Sequence, residues 1–417
     1  MKKLILIILI HLFFLFNSGF AQDFWEVIEL PDGIDLWDVK TNSSNDLFIG
    51  TNRGVLCRRH DEINWDTLLY TSNEGINALF IDESDHIFAG SRKLYYSANN
   101  GHTWTPLFES SVFGITSIFR NSVGAVYIGL WGGIYKCDTI GADFIPVLTF
   151  NNSEVVNSII EDTITGVMFC GTINYFSGGG IYISTDGGNN WVQDGLTGHF
   201  VSSLALNSTG DLFAGTRGGD FGTGGVFKMP YGQTEWIQLN NQEFVTSQVI
   251  NSENEIFIGC SDLSGNGGVR YSADNGITWE SRIEGMGGKD IEKLSISEDG
   301  YVYAVARNSD EQLFKSIGST VTHVKSNRFD SNISMFNYPN PFTNETTIFF
   351  SKPIAASNAL MLSVYNSCGM KVWEQSITIN HSIIQHIRLK GEHLQKGVYL
   401  YTVSDEVTRL CGKMVVY

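Results

Sequence analysis

The sequence predicts an all-β chain: a seven-bladed β-propeller closed by its own N-terminal strand, followed by a small C-terminal β-sandwich. Three observations carry this expectation. An aromatic-x-Gly mark recurs at Phe48-Ile49-Gly50, Phe88-Ala89-Gly90, Tyr127-Ile128-Gly129, Phe169-Cys170-Gly171, Phe213-Ala214-Gly215 and Phe257-Ile258-Gly259, with a degenerate seventh copy at Tyr303-Ala304-Val305, at spacings of 39 to 46 residues. Each period holds four short apolar runs broken by Gly, Asn, Asp and Ser, with almost no helical periodicity. A second aromatic series, Trp25, Trp65, Trp104, Phe144, Trp191, Trp236 and Trp279, stands 39 to 47 residues apart at the expected start of each outermost strand. A unit of this kind cannot bury its faces alone and must stack on its neighbours in a ring.

Taken in order, residues 1–21 read as a signal peptide. Lys2 and Lys3 form a basic start, Leu4 to Phe16 an apolar stretch of thirteen residues, and Gly19-Phe20-Ala21 a small-residue cleavage site. Thirteen residues are too few to span a hydrocarbon core of about 30 Å, so no membrane span is expected in the mature protein. Residues 22–325 are the propeller. The outer-strand series begins before the first aromatic-x-Gly mark, so Phe24 to Leu30 should supply the outer strand of the last blade, whose inner strands lie at 290–316. That closure leaves no unpaired edge between the first and last blades. The rival is an outer strand from Thr320 to Val324, which carries no aromatic mark. Residues 326–336 read as a linker and 337–417 as the sandwich, with alternating runs at 346–350, 360–364, 371–378, 383–389, 398–403 and 412–417.

Composition narrows the function. A formal charge of −17 with only 17% charged residues lacks the basic footprint that nucleic acid requires. Cys57, Cys137, Cys170 and Cys260 fall in or beside four different strands without CxxC spacing and read as buried free thiols. Cys368 and Cys411 could pair. No cofactor or metal is expected: no Cys/His cluster has zinc spacing and no Asp-x-Asp-x-Asp-Gly calcium loop is present. Nor is there a Gly-x-Ser-x-Gly, His-Glu-x-x-His or phosphate loop.

Candidate binding residues lie in the loops that follow each second strand. Three of these, Thr172 to Gly180, Thr216 to Gly225 and Cys260 to Gly268, are long and glycine-rich, and such rims are where propellers usually bind. Two residues past the glycine mark stand Arg92, Trp131, Arg217 and Arg307. Converging arginines would hold an anion through forked hydrogen bonds. Trp131, Tyr175 and Phe176 would stack on sugar rings or a peptide.

Three segments, Ser97-Ala-Asn99-Asn-Gly101-His-Thr103-Trp104, Ser184-Thr-Asp186-Gly-Gly188-Asn-Asn190-Trp191 and Ser272-Ala-Asp274-Asn-Gly276-Ile-Thr278-Trp279, resemble the Asp-box of sialidases, sortilin-type receptors, xyloglucanases and photosystem assembly-factor propellers. The resemblance implies a structural hairpin on the face opposite the ligand, so these residues are not expected to be catalytic. It also implies an alternative to a binding module, a secreted sialidase-like glycoside hydrolase. The Arg-Ile-Pro mark of sialidases is absent, and seven repeats replace their six. No catalytic residue is nominated.

The last segment is the most specific. Pro339-Asn340-Pro341-Phe342 opens it, Gly397-Val398-Tyr399 follows, and Lys413-Met414-Val415 closes it. In that order the motifs resemble the type A C-terminal sorting domain of the Bacteroidetes type IX secretion system. The resemblance implies export by that machinery to the cell surface or the medium, where the propeller would meet a glycan or protein ligand.

Overall fold

Each glycine of the recurring mark lies beneath a β-branched side chain of the next repeat. A methyl group at Gly171 would stand 2.5 Å from Val201 Cγ1, at Gly215 2.6 Å from Val245 Cγ1, and at Gly259 2.7 Å from Ile291 Cγ2. Ile76, Ile115 and Val156 occupy the same place over Gly50, Gly90 and Gly129. The mark therefore records blade-on-blade packing, which leaves no room for a Cβ. The seventh copy carries Val305, which packs in one cluster with Leu36 of the first blade. There the overlying residue branches one carbon further out, and a larger side chain fits beneath it.

The computed structural model describes residues 23–320 and 335–416, apart from 73, 112, 151–152, 219–223, 242, 262–266, 307–308, 310–311, 355–359, 367–370, 378–383, 393 and 405–408. The chain forms two compact units, residues 1–322 and 323–417. Among the described residues of the first unit there are seven four-stranded antiparallel sheets and no helix. Blade 1 comprises Leu36–Thr41, Leu47–Thr51, Gly54–Arg58 and Asp66–Tyr70 in spatial order from the centre outward. The innermost strands of blades 2 to 7 are Ala78–Ile81, Ile115–Arg120, Glu154–Asp162, Phe200–Leu206, Phe244–Ile250 and Ile291–Ile296. Each touches the innermost strand of the next blade, and that of blade 7 touches that of blade 1, so the cycle is closed.

The seventh sheet settles the closure. Its order is Ile291–Ile296, Val302–Ala306, Leu313–Ser316 and then Trp25–Val27, with Trp25 opposite Ser316 and Val27 opposite Phe314. Trp25 is 2% exposed, and its indole N–H donates to the Arg282 carbonyl at 2.8 Å. It packs with Phe257, Met286, Leu294 and Phe314 between blades 6 and 7. The other six outer-strand aromatics each stand immediately before an outer strand, as at Trp104 before Thr105–Glu109. Cys57, Cys137, Cys170 and Cys260 are buried and free, and burial pushes the Cys57 thiol up to about 12. The signal peptide, Arg307, Cys368, the Cys411 side chain and most of the predicted linker lie outside the described residues.

The Asp-boxes follow the third strands of blades 2, 4 and 6, at the rim opposite the ends of the second strands. In the third box, Ser272 Oγ donates to Asp274 Oδ1 at 2.9 Å and accepts the Gly276 N–H at 2.9 Å. Asp274 accepts the Thr278 N–H at 2.8 Å and its hydroxyl at 2.6 Å, and Trp279 Nε1 donates to the Gly276 carbonyl at 3.0 Å. Hydrogen bonds from Thr278 hold the Asp274 carboxyl below its usual range; those from Asn190 hold Asp186 down to about 2. In the first box Asn99 accepts the Thr103 N–H and donates to its hydroxyl, both at 2.9 Å and without a charge. Asp274→Asn should therefore lose less than Asp274→Ala, which lowers the melting temperature by about 2–4 °C at pH 7. Because the folded-state pKa is depressed, the Asp274→Ala deficit should be full above the unfolded value of about 3.9 and shrink as pH falls below it. Melting curves at pH 7 and pH 3 check both outcomes; a deficit that grows at pH 3 contradicts the assignment.

The second unit is a sandwich of two sheets among the described residues. Met335–Tyr338, Glu345–Ile354 and Ile384–Lys390 form one; Lys371–Ile377, Leu360–Asn366, Gly397–Ser404 and Arg409–Val416 form the other, in that order. The strand at 335–338 has no alternating run long enough to find in sequence, and it begins inside the stretch read as linker. Ile348, Leu362, Tyr401, Met414 and the Phe342 ring fill the core.

Candidate functional site

Second strands end, and innermost strands begin, on one rim of the propeller. The turn between Val126–Leu130 and Gly133–Cys137 is only Trp131-Gly132, and its backbone is pinned to blade 4: Trp131 bridges Val155 and the Gly132 N–H donates to the Glu154 carbonyl at 2.9 Å. The indole is thereby fixed while remaining 37% exposed. In blade 4 the strands Val167–Asn174 and Gly178–Ser184 run further than the sequence suggests, so the predicted loop from 172 to 180 shrinks to Tyr175-Phe176-Ser177 at a hairpin tip. Asn174 Oδ1 accepts the N–H groups of Phe176 and Ser177 at 2.9 and 3.2 Å and sets that turn.

These turns build a row of rings across three blades. Phe113 stacks on Trp131 at 5.6 Å and 25°, Trp131 on Tyr175 at 5.7 Å and 21°, and Tyr175 meets Phe200 edge-on at 5.8 Å and 63°. Trp131 and Tyr175 retain 37% and 52% exposure, and Phe176 beside them 78%. Of these residues the sequence reading nominated Trp131, Tyr175 and Phe176, and it did not nominate Phe113 or Phe200. Both stand one or two residues before the β-branched residue that covers a glycine mark, Ile115 and Val201, and that offset was the available signal.

Arg92 and Arg217, the two described arginines of the predicted set, meet carboxylates on different blades. Arg92 lies 3.7 Å from Glu109 on its own blade's outer strand and 4.0 Å from Glu74. Arg217 instead reaches Glu292 on the innermost strand of blade 7 at 3.5 Å. Beneath the row, Glu154 is 7% exposed and accepts from the Thr172 hydroxyl at 2.6 Å and from Asn174 Nδ2 at 3.4 Å.

The sorting motifs meet in space. Asn340 accepts the Val415 N–H at 2.8 Å and donates to the Lys413 carbonyl at 3.2 Å, while the Phe342 N–H donates to Val415 at 3.0 Å. Phe342 is 3% exposed and Tyr399, of the Gly-Val-Tyr run, 8%. The opening motif thus clasps the final strand.

Comparison with known proteins agrees with both halves. Residues 337–417 match the secretion system C-terminal sorting domain, and 270–281 match the BNR/Asp-box repeat. No curated protein matches the chain by sequence. Among solved structures, PorZ, an essential surface component of the type IX secretion system of Porphyromonas gingivalis, is 13% identical with a TM-score of 0.53 over 96% of this chain; the match spans 61% of PorZ. YCF48 bound to D1 peptide is 14% identical at 0.55, over 72% of this chain and 98% of that one. The GH74 enzyme of Niastella koreensis is 16% identical at 0.57, over 78% of this chain and 59% of the enzyme. At these identities the likeness is one of fold. The chain is a β-propeller with an Asp-box repeat that carries a type IX secretion C-terminal sorting domain, the mark of export to the cell surface or the medium.

Proposed function

We propose that the exported propeller is a glycan-binding module whose platform is the ring row Phe113–Trp131–Tyr175–Phe200. The single observation that carries this reading is the row itself, four aromatic side chains in successive ring contact across three blades, with Trp131 and Tyr175 37% and 52% exposed. Aromatic faces carry negative charge density and attract the polarised C–H groups on one side of a pyranose ring. Backbone pinning of Trp131 and the Asx turn beneath Tyr175 hold the platform before ligand arrives, which lowers the ordering cost of binding.

A glycoside hydrolase would need two carboxyl groups about 5 to 9.5 Å apart across the bond. The carboxylate beneath the row, Glu154, is engaged by Thr172 and Asn174, so binding is the favoured reading. Titration of neutral and acidic oligosaccharides into the mature protein tests it. Trp131→Ala should weaken binding by about 10-fold or more, the equivalent of roughly 1.4 kcal/mol, with the melting temperature unchanged. Unaltered affinity in Trp131→Ala and Tyr175→Ala would remove the platform. Release of a fluorogenic aglycone by the parent protein would move the reading to the hydrolase.

A further inference from the structure

Two of the three Asp-boxes place an Asn-Gly pair in their turn, Asn100-Gly101 and Asn275-Gly276. Asn-Gly is the dipeptide most prone to lose its side-chain amide, because glycine has no side chain to shield its nitrogen. Yet both positions call for these residue types. Asn100 and Asn275 adopt φ of 55° and 62°, a region that asparagine enters more readily than most residues with a side chain. Gly101 and Gly276, at 84° and 86°, lie against the preceding blade's outer strand. A methyl group there would stand 2.4 Å from Leu68 Cδ1 and 2.5 Å from Leu239 Cδ1.

The asparagine side chains also join blades. Asn42 of blade 1 donates to Asn100 Oδ1 at 3.1 Å, and Asn100 Nδ2 donates to Asp46 at 3.5 Å. Blades 5 and 6 repeat the arrangement: Asn207 donates to Asn275 Oδ1 and Asn275 Nδ2 to Asp211, both at 3.2 Å. An amide fits because one end accepts while the other donates to a carboxylate. A carboxylate in its place would face Asp46 or Asp211 with like charge. In blade 4 the box carries Gly187 at this position, and the link to blade 3 is made by Tyr127, whose hydroxyl donates to the Gly187 carbonyl at 2.7 Å.

Loss of the amide begins when the glycine nitrogen gives up its proton to solvent and attacks the asparagine Cγ. The new C–N bond expels ammonia and leaves a succinimide. Water then opens that ring to aspartate or isoaspartate, and nothing is oxidised or reduced. In both boxes the attacking nitrogen is already engaged. The Gly101 N–H donates to Ser97 Oγ and the Gly276 N–H to Ser272 Oγ, each at 2.9 Å, and both glycines and both serines are buried. We propose that Asn100 and Asn275 are latent deamidation sites that the box serine holds shut. The box then sets the chemical lifetime of the propeller as well as the shape of its turn.

Peptide mapping by mass spectrometry, after incubation of the mature protein in mildly alkaline buffer, tests the assignment. The tryptic fragment Tyr271–Arg282 holds Asn275 as its one asparagine, apart from Asn266-Gly267, a third such pair whose asparagine lies outside the described residues. Asn275 should convert at least about 10-fold more slowly in the folded chain than in the urea-unfolded one. Ser272→Ala should speed conversion of Asn275 by about 5-fold, the worth of one hydrogen bond, while Asn100 in the same molecule keeps the parent rate. Ser97→Ala should do the converse. Asp274→Ala loosens the same turn but leaves the Gly276 N–H on Ser272, so it should change the rate by less than about 2-fold. Equal rates in the folded and unfolded parent, an unchanged rate in Ser272→Ala, or equal acceleration by Asp274→Ala and Ser272→Ala would each overturn the proposal.

Discussion

Trp25→Ala is expected to cost the propeller about 3–5 kcal/mol of folding stability. The indole is 2% exposed, packs with Phe257, Met286, Leu294 and Phe314, and donates to Arg282. Removing it opens a cavity at the joint between blades 6 and 7 and strips the short strand Trp25–Val27 of its anchor. The remaining attachment is three residue pairs with Leu313–Ser316, the bonds from Phe24 and Trp25 N–H to the Glu284 carbonyl at 3.0 Å, those from Ile28 N–H to Leu313 and from Ile317 N–H to Phe24 at 2.8 Å, and the buried Ile28 side chain. Loss of that strand would expose the edge of Leu313–Ser316, an invitation to intermolecular pairing. A urea unfolding series checks the expectation, with Phe176→Ala, 78% exposed, as a control that should change nothing. A midpoint shift in Trp25→Ala equivalent to less than about 1 kcal/mol would mean that closure by the N-terminal strand contributes little.

Deleting residues 397–417 should abolish export, leaving the propeller in the periplasm with its stability intact. Gly397–Ser404 lies between Leu360–Asn366 and Arg409–Val416, so the deletion removes two adjacent strands of a four-stranded sheet. Tyr401, Val403, Met414 and Val416, all buried, leave the core with them. Asn340 also loses both its partners, Lys413 and Val415. Cell fractionation with a propeller-directed antibody reads the outcome, and surface signal at the level of the full chain would contradict it. Asn340→Ala should give a partial version, because it breaks the clasp while the sheet retains its strands.

Much of this was legible in the sequence because a ring imposes the same demand on every blade. The demand at the marker glycines is steric: Gly50, Gly90, Gly129, Gly171, Gly215 and Gly259 each lie under Ile or Val of the next blade. Trp25 could be assigned to the last blade because the outer-strand aromatic obeys the same period as the glycines. The Asp-boxes were readable for a related reason, since Ser, Asp, Gly and Trp satisfy one hairpin locally. The candidate site was readable only in part. Trp131 and Tyr175 sit in turns that the repeat marks out, whereas Phe113 and Phe200 belong to no turn and join the row only through blades that neighbour each other in space.

By itself, then, the sequence determined what repeats and what is local: the blade, the box, the closing strand and the sorting motifs. Only the tertiary structure decided where long side chains go. Arg92 and Arg217 hold equivalent places in the repeat, yet one turns to Glu109 on its own outer strand and the other crosses the ring to Glu292. The reason is physical. A periodic backbone fixes Cα positions, but a flexible guanidinium settles where a carboxylate happens to stand, and those carboxylates do not share the period.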